Sequence, residues 1–134
     1  NLKRENLKQK NPQRQNTLQK VKKVNGEVAE TTDYILAGKK IIGYMSLSKE
    51  SDDAYELHNL AVLPEYRHNG FGKLLLDHAK DVVKASGGNV IKIGIIEEST
   101  VLKNWYIANG FVHTGTKKFD HLPFTSGYLE WKGE

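Results

Sequence analysis

Residues 54–79 read AYELHNLAVLPEYRHNGFGKLLLDHA, and the changes of pattern inside this stretch decide the architecture. AYELHNLAVL (54–63) reads as a strand, and Pro64 ends it because proline has no N–H to give a ladder. FGKLLLDHAKDVVKASGG (71–88) reads as a helix. Its Leu74, Leu75, His78, Ala79, Val82 and Val83 fall at i, i+1, i+4, i+5, i+8 and i+9, one apolar stripe, and Gly87-Gly88 supplies the stop. NVIKIGII (89–96) follows as a nearly continuous apolar run, the pattern of a buried parallel strand. A strand–helix–strand unit with a link of roughly 25 residues has the length of a parallel crossover.

Gly70 and Gly72 sit where the first strand hands over to the helix. Glycine lets the backbone bend tightly and bare its N–H groups. The first turn of a helix has donors without internal partners, and its dipole favours an anion. Arg67, His68 and Lys73 add positive charge around the same point, so the stretch reads as a phosphate or pyrophosphate cradle. A glycine-softened turn without a ligand is the competing reading. The nucleotide motifs fail. After Gly72-Lys73 comes Leu74, where a Walker loop needs Ser or Thr, and Leu75 stands where the dinucleotide fingerprint needs a third glycine.

Outward from this unit, DYILA (33–37) and IIGYMSLS (41–48) flank Gly38-Lys39-Lys40 as a hairpin, and KESDD (49–53) is a polar turn. STVLKNWYIANG (99–110) is a second helix, capped by Ser99 or Thr100 and ended by Gly110. FVHTGTKKF (111–119) and PFTSGYLEWK (123–132) close the chain as strands joined at Asp120-His121-Leu122. The order is β-β-β-α-β-α-β-β. Before it, Leu18, Val21 and Val24 could line one side of a short helix. Residues 1–25 are therefore read as a basic arm or remnant helix, and 26–134 as a single domain.

At 134 residues, 38% hydrophobic and 27% charged, the chain suits one soluble domain. It has no cysteine, which removes disulfides, zinc–thiolate sites and a thiol nucleophile and fits a reducing cytoplasm. No apolar run approaches the roughly 20 residues of a membrane helix, and the polar first twenty residues do not resemble a secretory signal. The chain opens on Asn1 rather than Met, read here as a sign that N-terminal sequence is missing. The net charge of +4 is unevenly spread. Residues 1–23 hold eight basic side chains against Glu5, whereas the body holds 12 basic and 15 acidic, so bulk charge argues against a nucleic-acid-binding body. The arm is a solvated surface segment, or else a dock for RNA or an acidic protein. The histidines have no metal-ligand spacing, so no metal is expected.

NLAVLPEYRHNGFGKLLLDHA (59–79) resembles the acyl-CoA-binding motif of the GNAT superfamily of N-acetyltransferases, an L-A-V strand followed by P-x-[YF]-[RQ]-x-x-G-[FIY]-G and a helix. NWYIANGF (104–111) resembles that family's second block, a helix ending in Y-x-x-x-G-F. The resemblance runs from about residue 32 to 132. It implies an α/β (α+β) fold: a mixed twisted sheet with its central parallel pair splayed for coenzyme A and helices packed on both faces. It also implies an acyltransferase that moves an acetyl group from acetyl-CoA to a primary amine by direct attack. The acceptor is a small-molecule or peptide amine, with no membrane and no nucleic acid involved. The terminal strands of such folds often pair between subunits, which makes a homodimer an expectation.

The resemblance assigns residues as well. Main chain at Leu60, Ala61 and Val62 would line the coenzyme's pantetheine arm, Val62 offering an N–H to the developing oxyanion. Arg67, His68, Asn69, Gly70, Phe71, Gly72 and Lys73 would hold the pyrophosphate. Tyr106 matches the tyrosine beside the sulfur. Ser99 stands where many members carry an asparagine near the pantetheine. Glu56 is where some members carry a catalytic glutamate, and His58 shares its face by alternation. The mid-strand glutamate of other members is Gly94 here, with Glu97 and Glu98 beyond it. His121 could line the acceptor pocket, and His78 reads as structural. A coenzyme-binding regulatory module without catalysis is the alternative, as is an enzyme that docks a protein or RNA-associated amine through the arm.

Overall fold

The computed structural model describes residues 17–24 and 27–133. Seven strands form one sheet: β1 (Thr17–Val24), β2 (Glu27–Ala37), β3 (Lys40–Lys49), β4 (Ala54–Val62), β5 (Val90–Ile96), β6 (Val112–Lys118) and β7 (Thr125–Lys132). Helix α1 (Phe71–Ala85) links β4 to β5, and α2 (Thr100–Ala108) links β5 to β6. Across the sheet the order is β1-β2-β3-β4-β5-β7-β6. Every neighbouring pair is antiparallel except β4 and β5. The expected mixed sheet with a central parallel pair is thus present. No described helix is long and apolar enough to cross a membrane.

The first strand corrects the sequence reading. Residues 17–24 extend along β2 from Thr17↔Ile35 to Val24↔Glu27, where a short helix was expected. A lone two-turn helix is marginal in water, whereas a strand here satisfies the edge of β2. Lys22 and Lys23 are exposed, and lysines on an edge strand discourage further pairing. The rest of the basic arm, residues 1–16, lies outside the described residues.

Alternation sorts the side chains of the sheet. Ile35, Met45, Leu47, Leu57, Ile91, Ile93, Leu129 and Trp131 are buried on one face. Phe71, Leu75, Leu76, Ala79 and Val83 of α1 close over them. A fully buried leucine contributes about 1.5–3 kcal/mol, so this stripe anchors the crossover. Helix α2 lies over the same face: Trp105 reaches to within 3.3 Å of where a Cβ on Gly72 would stand, and Lys80 of α1 donates to the Asn109 carbonyl at 2.7 Å. Both described helices therefore share one side, where helices on both faces were expected. The opposite face carries Thr32 and Ser46, whose hydroxyls lie 3.0 Å apart, with Ser48, Glu56, His58, Lys92 and Glu130 in the neighbouring rows. A row of such groups offers no apolar stripe for a helix to bury.

Candidate active site

Strands β4 and β5 pair only at Ala54↔Val90, Tyr55↔Ile91 and Glu56↔Lys92. Beyond Glu56 they separate. Strand β5 stays with β7 along its whole length, and β4 stays with β3. The parting coincides with a bulge, where Asn59 and Leu60 together face the single residue Met45. Asn59 takes the left-handed conformation, φ 56°, which asparagine tolerates better than most residues. A bulge increases local twist and re-aims the strand beyond it.

The bulge determines which peptides face the gap. Leu63 N–H donates to the Ile42 carbonyl on β3 at 2.8 Å. Backbone groups alternate sides along a strand, so Ala61 also turns to β3, while Leu60 and Val62 turn to the side β5 has left. The Val62 carbonyl there accepts from Arg67 Nε at 3.0 Å. The Leu60 and Val62 N–H groups have no strand opposite them. Of the three residues singled out in the sequence, Leu60 and Val62 thus turn their main chain to the gap and Ala61 turns its own to β3.

The gap opens toward the helices into a cavity of about 300 Å³. Leu60, Val62, Arg67, His68, Gly70, Phe71, Gly72 and Lys73 line it, together with Tyr66, Leu102 and Trp105, which the sequence reading did not single out. Gly70 caps α1 at φ 85°, with no side-chain cap and no acidic residue in the first turn. The first helical bond is Leu74 N–H to the Gly70 carbonyl, 3.0 Å, so the amides of residues 71–73 have no acceptor within the helix. His68 is left-handed as well, φ 63°, and the two turns fold the loop into a concave set of amides suited to an anion. Asn69 is not in the lining. Its Nδ2 donates to the carbonyls of Tyr66 (3.2 Å) and Arg67 (2.9 Å) and braces the loop from within. Phe71 is buried, its ring 6.3 Å from that of Tyr66. Lys73 pairs with Asp77 at 2.9 Å on the surface.

Gly70 allows a clean test of the loop. Space around its missing Cβ is open, so Gly70→Ala meets only the backbone cost of a left-handed alanine, about 1–2 kcal/mol. Urea denaturation is expected to show a loss of that size; an unchanged midpoint would mean the loop can re-form without this turn.

Tyr106 lies one residue beyond Trp105, with its ring edge-on to Trp105 at 4.9 Å and to Phe111 at 5.3 Å. It is 6% exposed, and burial pushes its hydroxyl pKa up to about 12. Ser99 stands at the start of α2, its carbonyl accepting from Lys103 N–H, and takes no part in the cavity's lining.

On the other face β4 borders a groove of about 690 Å³. Glu56 and His58 line it with Glu50, Lys92, Gly94, Thr114, Tyr128 and Glu130. His58 Nε2 lies 2.7 Å from Ser48 Oγ and 3.2 Å from Glu56 Oε1. Lys92 is held in its charged form chiefly by a 2.9 Å hydrogen bond to Glu50, with Glu130 and Glu56 adding to the effect. His121 is exposed, its ring tilted against that of Phe119 at 5.7 Å, and it is not among the residues lining this groove, whose far wall is β6. Glu97 is taken up by Lys103 (2.7 Å) and His113 (2.8 Å), with the Lys103 hydrogen bond the larger cause of its lowered pKa. Glu98 accepts from Thr125 N–H. Neither lines the groove.

The family profile of the acetyltransferase (GNAT) domain matches residues 28–113. The chain belongs to the GNAT acetyltransferases. Among solved GNAT structures, a family acetyltransferase from Elizabethkingia anophelis with acetyl-CoA bound superposes with a TM-score of 0.74 at 17% identity, over 87% of this chain and 98% of that one. The IAA acetyltransferase from Bacillus cereus superposes with a TM-score of 0.71 at 22% identity, over 77% of each. At such identities the likeness concerns the fold. In sequence, the histone acetyltransferase ESA1 of Kluyveromyces lactis is 40% identical over 50 residues, which is 37% of this chain and 11% of that protein. The Yarrowia lipolytica ESA1 is 38% identical over 50 residues, again 11% of its length. The chain thus spans about a tenth of these curated relatives.

Proposed function

We propose that this GNAT acetyltransferase moves the acetyl group of acetyl-CoA to a primary amine, with lysine side chains of proteins as the acceptor class. One observation carries the reading: β4 parts from β5 beyond Glu56, with a cradle of bare amides beside Leu60 and Val62 on the helix side and a groove holding Glu56 and His58 on the other. An acyl donor seated by its diphosphate at residues 68–73 would present its carbonyl between the two strands. The Val62 N–H is oriented for the oxygen that gains negative charge there. Glu56 and His58 supply acceptors for the proton an ammonium must lose before it can attack, since a lysine amine titrates near ~10.4. Tyr106 keeps its proton and can hydrogen-bond the sulfur as it departs. The lysine acceptor class is favoured by the fifty-residue similarity to histone acetyltransferases and by the acidic groove.

The fit of the cradle rests on Gly70, Gly72 and the unpartnered amides of α1. A Cβ on Gly72 would press on Trp105, and the lining carries Arg67, His68 and Lys73 without a carboxylate. The test is to incubate the chain with acetyl-CoA and lysine-containing peptides, polyamines and amino acids, and to follow free thiol and product mass. Acetylated peptide is the expected product. Binding of acetyl-CoA without thiol release for any amine would overturn the enzymatic reading and leave a coenzyme-binding module.

A further inference from the structure

We propose that His58 takes the acceptor's proton at Nδ1, with Ser48 and Glu56 as positioning residues that hold its Nε2–H; this rests on the acetyl-transfer reading above. Both observed contacts of the imidazole are made by the same nitrogen, Nε2, to Ser48 Oγ at 2.7 Å and to Glu56 Oε1 at 3.2 Å. An ionised carboxylate can only accept and a serine hydroxyl can accept as well, so a ring proton on Nε2 suits both neighbours, and it is the form the proposal assigns. Nδ1 then carries the lone pair, and it has no hydrogen-bond partner among the described residues. A carboxylate that fixes one ring nitrogen so the other can act as base is a general way of orienting a histidine.

Position along β4 separates the two candidates. Glu56 is the last residue of β4 paired with β5. His58 is the next side chain on that face and the first beside the open gap, and it directly precedes the bulge at Asn59. Two residues of strand are about 7 Å, so Glu56 stands that much further from the Val62 amide. The step balances without any added reactant. The ammonium N–H bond breaks, and its proton goes to Nδ1. The freed lone pair forms the C–N bond while the carbonyl electron pair moves to oxygen; the intermediate then gives its second N–H proton to water in the groove, and the C–S bond breaks with its electron pair leaving on sulfur. The imidazolium then releases the proton from Nδ1 to water, which restores the Nε2–H form for the next turnover.

The test compares wild type, His58→Ala, Glu56→Gln and Ser48→Ala with acetyl-CoA and a lysine peptide, each with and without added imidazole. His58→Ala is expected to lower kcat by about a hundredfold or more, to keep its KM for acetyl-CoA, and to regain rate in proportion to imidazole. Glu56→Gln and Ser48→Ala are expected to lose about tenfold and to ignore imidazole, because the base remains and only its orientation suffers. Equal turnover of His58→Ala and wild type would overturn the inference. So would a loss that imidazole does not relieve, or a larger loss in Glu56→Gln than in His58→Ala, which would make the carboxylate the direct base. A wild-type chain that releases no thiol overturns the functional reading itself, whereas an active wild type matched by His58→Ala overturns this inference alone.

Discussion

His78→Leu is expected to lower the free energy of unfolding by about 3 kcal/mol, toward the lower end of the 3–5 kcal/mol seen when one partner of a buried ion pair is removed. Asp33 sits in the middle of β2 with no solvent exposure. His78 of α1 brings Nε2 to 2.8 Å from its Oδ2. The approach is close but poorly aligned, so neither carboxylate oxygen has a proper hydrogen bond from the described residues. The imidazole of His78 is thus the polar group placed against the carboxylate among the described residues. Leucine would keep the apolar stripe of α1 intact and leave the charge alone in the core. The side chain of His78 is 23% exposed, so water can relieve part of the cost, which is why the lower figure is preferred. A domain of this kind has only about 5–15 kcal/mol to lose. The companion variant Asp33→Leu/His78→Leu should recover most of the loss, since buried pairs replaced by apolar residues of similar volume are often neutral or better. Equilibrium denaturation in urea reads both. A His78→Leu midpoint equivalent to less than about 1 kcal/mol of change would mean that solvent or another group already serves Asp33.

The legible part of this fold was the part written in local period. The stripe of α1 from Leu74 to Val83, the apolar run of β5 and the stop at Pro64 each reflect chemistry within a few residues, and all three elements stand where that chemistry puts them. The glycine turn at the start of α1 was legible for the same reason, because Gly70 acts through its own backbone. Strand β1 escaped although a signal was present: Asn25-Gly26, flanked by TLQKVKKV and EVAETTDYILA, is a strong hairpin dipeptide. The spacing of Leu18, Val21 and Val24, three residues apart, favoured a short helix instead. Placing both helices on one face was not legible, because it depends on Trp105 meeting Gly72 from a distant part of the chain. The bulge at Asn59 was equally hidden, since it exists only relative to Met45 on another strand. Ser48 and His58 meet through the register that sets Ser46 opposite His58, and strand periodicity alone carries no register. For His121 the sequence left the direction open for the converse reason: a turn residue has no period to say which way it faces.

Tyr106→Phe is expected to lower kcat for acetyl transfer by about a hundredfold while leaving the KM for acetyl-CoA close to wild type. The change removes one oxygen from a ring packed between Trp105 and Phe111, so shape and packing persist. On the proposed mechanism the variant loses a donor to the departing sulfur, and removal of one such donor costs about 10²–10³ in rate. The hydroxyl's high pKa decides how it acts. A phenol at about 12 is a much weaker acid than a thiol near ~8.5, so full proton transfer to the sulfur would run uphill. On the proposed mechanism Tyr106 would therefore act as a hydrogen-bond donor while the C–S bond breaks, and the thiolate would collect its proton from solvent later. Tyr106 accordingly adds no basic limb to the rate profile below about pH 10. The same residue should mark stability at alkaline pH. Its folded pKa lies above the unfolded value of 10.0, so burial of the neutral phenol stabilises fully below pH 10 and is lost as pH rises through about 12. A difference of that size corresponds to about 2–3 kcal/mol. Wild type should lose that much between pH 10 and 12 relative to Tyr106→Phe, measured as the difference between their urea midpoints, with lysine titration common to both. If Tyr106→Phe turns over normally yet escapes the alkaline loss, the ring is a core residue only, and the partner of the sulfur must be sought among the amides and waters of the cavity beside Leu102 and Trp105.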